Sequence, residues 1–228
     1  MTSIDRLITT CPPPSPPTTT YTDWPAVEQQ LGMPLPTDYK QIADTYGPGT
    51  FCGFLHLYHP HAHTTWTSLT GPMPSTIRAQ LQQEHEQDTP PLPADPQELF
   101  PMAVTDNGEY LFWVTRPATS PDAWTVAVNQ ARSFRWHSYD GTLADFLTAV
   151  LSGREIVPVF PSSLLDHGTF FTPLTPAANP TAEQPQPSST MASSSDIRAW
   201  ARDHGYEVPD RGRIPIEILD AWQAANTQ

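Results

Sequence analysis

Hydrophobic and polar positions mark out helical periods, near-continuous apolar runs and stretches with no period at all. Asp23 caps a predicted helix that runs through Leu31 and stops at Gly32. A second helix is predicted from Pro36 to Tyr46. Tyr39, Ile42, Ala43 and Tyr46 recur there at helical spacing, and Gly47-Pro48-Gly49 ends it. FCGFLHLY (51–58) is apolar or aromatic at almost every position and reads as a strand, whereas 75–87 reads as a polar, exposed helix. Strands follow at 101–105, 109–115, 123–129 and 133–139, with Asp106-Asn107-Gly108 as a tight turn between the first two. Thr142 opens a last helix, with Leu143, Phe146, Leu147, Val150 and Leu151 on one face and Gly153 beyond it. Helices, then a meander of neighbouring strands, then a helix predict an α+β fold with a mostly antiparallel sheet.

Proline sets the boundaries. The chain has 228 residues and 28 prolines, and only 38% of its residues are hydrophobic. Such stretches bury too little apolar surface to offset their ordering entropy. CPPPSPPTTT (11–20) belongs to a Pro/Thr-rich N-terminal segment, residues 1–20. A second break, from about Pro173 to Ser195, reads as a disordered Pro/Ser-rich linker over 173–194. It separates a domain at 21–172 from a small one at 195–228. Trp24, Trp66, Trp113, Trp124 and Trp136 precede the break and Trp200 and Trp222 follow it, so both sides are expected to hold a core.

The formal charge is -13, which opposes non-specific attraction of the whole chain to nucleic acid or anionic membrane. Residues 1–192 carry 7 basic and 18 acidic side chains, and 193–228 carry 4 and 6. No apolar run reaches membrane-spanning length and MTSIDRLITTC has no apolar signal core, so a cytoplasmic protein is expected. Cys11 and Cys52 read as free thiols, Cys52 as a small hydrophobe inside the 51–58 strand.

Candidate chemistry in the larger domain is sparse. His56, His59, His61 and His63 lie close together, but the segment lacks neighbouring carboxylates and Pro60 makes it loop-like, so no metal site is expected. Asp140 and Asp145 flank a helix start, where a negative charge is favourable without any catalytic role. No nucleophile elbow, P-loop, zinc-protease or dinucleotide motif is present. The expectation is a protein that is not an enzyme and needs no cofactor.

The order of LP-T-DY (35–39), YGPGTFCGFLHLYHP (46–60), LFP…TDNGEYLFW (99–113), W-V-V-N (124–129) and W…GTLADFL (136–147) resembles the Smi/Knr-type proteins of the SUKH superfamily over about 21–160. That resemblance implies an α+β domain that binds a partner protein. Many bacterial members are immunity proteins that neutralise toxins, often nucleases, and fungal relatives are regulatory scaffolds. Tyr46, Gly47, Phe51, Trp113 and Trp136 match the pattern, and packing and turn geometry account for them.

The C-terminal segment reads as two short helices. Ser195 or Asp196 caps the first, which carries Ile197, Trp200 and Ala201 and ends at Gly205; Pro215 begins the second, with Ile218, Leu219 and Trp222 on its buried face. Arg211-Gly212-Arg213 lies between them. Glycine lets a backbone approach a groove floor, and a narrow A·T-rich minor groove favours inserted arginine. IRAWARDHGYEVPDRGRIPIEILDAWQAA resembles the DNA-binding domain of the actinobacterial nucleoid-structuring, Lsr-type silencer family. The resemblance implies that Arg211, Gly212 and Arg213 enter A·T-rich minor groove, with Arg198 and Arg202 against phosphates. The segment is net negative, so weak binding by a monomer and avidity on oligomerisation are expected. Two functions follow: a nucleoid-associated protein whose head recognises a partner, or an immunity protein whose acidic head attracts a basic toxin.

Overall fold

The computed structural model describes residues 2–15, 21–86, 92–130, 135–174, 200, 201 and 204. The chain divides into two compact units, Met1–Ala177 (the head) and Ala178–Gln228 (the tail).

In the head, seven strands form one sheet in the order β6-β5-β4-β3-β2-β1-β7. They are β1 (Gly49–Phe51), β2 (Leu55–Leu57), β3 (Leu99–Thr105), β4 (Tyr110–Val114), β5 (Thr125–Asn129), β6 (Trp136–Tyr139) and β7 (Phe171–Pro173). Every pairing is antiparallel. Five helices accompany them: α1 (Ser3–Thr10), α2 (Trp24–Leu31), α3 (Thr37–Tyr46), α4 (Pro72–Glu86) and α5 (Leu143–Leu151). The α+β class and the mostly antiparallel sheet are as expected.

Local chemistry explains the elements that the sequence predicts well. The Asp23 side chain accepts from the Ala26 N–H at the start of α2, and Gly32 closes that helix at φ +69°. Tyr39, Ile42, Ala43 and Tyr46 are the buried face of α3. Between β3 and β4 the Gly108 N–H donates to Thr105 O and the Thr105 N–H to Glu109 O, closing the Asp-Asn-Gly turn. Pro101 sits in a central strand because the register slips at a bulge between Pro101 and Ala103.

Other elements differ from expectation. The 51–58 run is a hairpin, not one strand. Cys52 and Gly53 both have positive φ (+52° and +63°), and the Phe54 N–H donates to Phe51 O. That backbone reverses the chain, so Cys52 lies half-buried in a turn instead of inside a strand. Helix α4 starts at Pro72 and is not wholly exposed, since Ile77 and Leu81 pack into the core. Trp66 is 67% exposed, whereas Trp113 and Trp124 are buried.

Helix α5 is buried on nearly all sides, Asp145 being its one residue outside that class. The reason is α1, which packs across it together with α3 while the other side meets β5. Helix α1 lies in the predicted Pro/Thr-rich segment. A Thr2–Asp5 capping box starts it, and it buries Leu7. Strand β7 takes in Pro173, so the sheet continues to the residue at which the linker was predicted to begin. It pairs Phe171 with Phe51 and Pro173 with Gly49. A Cβ on Gly49 would lie 2.3 Å from the Phe171 ring, so this close approach requires glycine. The predicted linker beyond residue 174 lies outside the described residues.

Candidate functional site

Several buried and half-buried carboxylates of the head hold elements together. Asp38 is the clearest case. One oxygen accepts from the Tyr39 N–H (2.7 Å) and the other from the Ala144 N–H (2.8 Å), so a side chain on α3 satisfies the first turn of α5. Burial raises the Asp38 pKa, which those donors and the Thr142 hydroxyl oppose. Asp122 does the same for α3, accepting from the Thr37 N–H (2.6 Å) and hydroxyl (3.1 Å). Asp145 accepts from Arg6 (2.6 Å) and Ser3 (2.9 Å), tying α5 to α1. Buried Glu109 accepts from the Thr105 hydroxyl. Sequence reading assigned Asp145 to helix capping and missed the caps by Asp38 and Asp122. Those partners are 106 and 85 residues away, and no local motif announces them.

The four histidines do not form one cluster, although the His59 and His61 rings lie 5.7 Å apart. His56 Nε2 is 2.7 Å from Asp106 at the β3–β4 turn. His59 is buried and fixes a loop. Its Nε2–H donates to Ala43 O (3.3 Å), and its Nδ1 accepts from the His61 N–H (3.0 Å). Its backbone N–H donates to Thr67 O, and its carbonyl accepts from Ala62 and Leu69. Burial lowers its pKa to about 4, so the ring is neutral. His63 is exposed. Among the described residues no three His, Cys, Asp or Glu side chains are placed to hold a metal ion. Cys11 and Cys52 are free thiols, and burial pushes Cys11 up to about 12. A thiol of that pKa is a poor nucleophile. No helix among the described residues is long and apolar enough to cross a membrane.

In the tail, Trp200 and Ala201 are helical. The His204 N–H donates to Trp200 O (3.0 Å), and the two rings stack at 4.3 Å. This is the i,i+4 pairing of one helical turn. The predicted DNA-contacting residues Arg198, Arg202, Arg211, Gly212 and Arg213 all lie outside the described residues.

Residues 189–225 match the family model of the Lsr2 DNA-binding domain. The matched segment contains Trp200, His204 and all five predicted contact residues. This Lsr2-type segment supports DNA binding by the C-terminal region. No solved structure matches the chain.

Proposed function

We propose that the chain is a two-module binding protein without enzymatic activity. Its Lsr2-type tail inserts Arg211 and Arg213 into the minor groove of A·T-rich DNA, while Gly212 lets the backbone approach. Arg198 and Arg202 contact phosphates. The head, a SUKH-like domain on this reading, recognises a partner protein and brings it to the nucleoid. The carrying observation is the Lsr2 match at 189–225, which encloses an Arg-Gly-Arg flanked by Pro209 and Pro215. Support for the head's role is the order of the SUKH-like motifs, together with carboxylates engaged in helix capping and ion pairs.

Polarisation titrations of the full chain against A·T-rich, G·C-rich and I·C duplexes test the DNA half. Inosine removes the guanine amino group from the minor groove and leaves the major-groove pattern of G·C largely intact. The I·C duplex is therefore expected to bind like A·T. Binding of I·C like G·C, or equal binding of all three, overturns minor-groove reading.

A second reading is favoured by charge. With 7 basic against 17 acidic side chains in residues 1–177, the head suits a basic toxin such as a nuclease, and the protein then acts as an immunity factor. Stoichiometric inhibition of such an enzyme by full chain carrying Arg213→Ala is the expected result on that reading. Inhibition lost together with DNA binding counts against it.

A further inference from the structure

A cavity of about 280 Å³ opens between the end of α2, helix α4, the start of β3 and the segment after β4. Leu31, Met33, Phe100 and Trp124 supply its apolar lining, Gln97 and Thr115 add polar edges, and Arg78 is its one ionisable lining residue. Among the described residues of this acidic head three cations are ion-paired, whereas Arg78, like Arg135 and Arg154, is not; what sets Arg78 apart is that it lines a cavity. Arg6 pairs with Asp145, Lys40 with Glu28 and Arg116 with Glu98. Among the described residues no carboxylate lies within 4 Å of Arg78. Its guanidinium is nevertheless held in place: one nitrogen donates to Gln97 O (3.0 Å), and the group lies 5.9 Å over the Phe100 ring. A planar fork stacked on an aromatic ring keeps donors that match a carboxylate, with less entropy left to lose on binding.

We propose that this cavity binds a carboxylate attached to an apolar body, with Arg78 receiving the anion and Met33, Phe100 and Trp124 enclosing the rest. Charge complementarity selects the occupant. The lining offers one positive group and no negative one, so an anion meets no opposing charge there, whereas a cation meets Arg78. The volume is at the small end of the range for ligand pockets, which suits one amino-acid-sized group. Two sources present that chemistry: a free small acid, or the C-terminal residue of a polypeptide. The inference stands apart from the DNA-binding reading and is measured without DNA.

The test uses ¹⁵N-labelled full chain and follows the Trp124 indole N–H and the Arg78 Nε–H signals. The probes are 3-phenylpropanoate, its uncharged amide, and a five-residue peptide ending in Phe as free acid or as amide. Saturable shifts of both signals are expected with at least one acid, at least tenfold weaker with the matching amide, and lost in Arg78→Gln. Tighter binding of the peptide acid identifies C-terminal capture; tighter binding of 3-phenylpropanoate identifies a small-molecule site. Equal response to acid and amide overturns the proposal, as does no response to any probe at millimolar concentration. The acid–amide comparison needs no variant and decides the matter even where Arg78→Gln fails to fold.

Discussion

In the head, the polar contacts that fix the fold join residues far apart in sequence: Ser3 with Asp145, Asp38 with Ala144, Thr10 with Thr169. In the tail, the residues proposed to enter the groove are three in a row, Arg211-Gly212-Arg213. The head buries Trp113 against Tyr39, Phe100 and Trp124, with ring centroids 5.0–6.2 Å apart. A large domain can distribute its specification over many distant pairs because it has the interior to hold them. A short one must write its recognition into contiguous side chains. Function is therefore easier to read in the tail and architecture easier to explain in the head.

The largest effect that separates the two is expected from the head's centre. Trp113→Ala removes a fully buried ring and should cost about 3–5 kcal/mol of stability, measured by urea unfolding. A tail that acts through its own short segment keeps its DNA affinity in this variant. A parallel loss of affinity would break the comparison.

Acid comes next. His59 has a folded pKa of about 4 against an ordinary value near 6.5, because burial penalises its charged form. The unfolded chain thus takes up the proton first as pH falls. Stability is full above pH 6.5 and declines towards pH 4, by about 3 kcal/mol for this one group. Protonated Nδ1 can no longer accept from the His61 N–H, which is the structural form of that loss. Urea midpoints across this window should fall more steeply in the unaltered chain than in His59→Gln. Identical slopes would remove His59 from the account.

In the tail, Arg213→Ala should weaken binding to A·T-rich duplex by about fivefold to 150-fold, corresponding to about 1–3 kcal/mol for one base-reading side chain. The head's urea midpoint should not move. The smallest effect is expected at the surface, where Arg6 and Asp145 are 44% and 31% exposed. Arg6→Ala should cost less than about 1 kcal/mol, and less still at high salt.

What the sequence made legible follows the same division. Helices α2, α3 and α5 and the β3–β4 turn carry local signals, in Asp23, Gly32, Thr142 and the Asp-Asn-Gly triplet, and those elements are where they were expected. The β1–β2 hairpin was hidden because its turn residues Cys52 and Gly53 sit among Phe51, Phe54 and Leu55, so apolar composition masked a change of direction. Helix α1 is eight residues long and buries only Leu7, too little for a helical period to stand out. Arg78 was invisible for another reason. Its significance lies in the cavity it lines and the Phe100 ring beneath it, and only the assembled fold brings those together.

Strand β7 carries one more implication. Among the described residues it is the last strand before the tail, held to β1 by three residue pairs and by the Leu174 N–H on Pro48 O. Of the described elements of the head, this short border lies nearest in the chain to residues 189–225, the segment that matches the Lsr2 DNA-binding domain. The Phe171 ring of β7 packs on Tyr46 and Phe51, so detaching β7 uncovers those two buried rings.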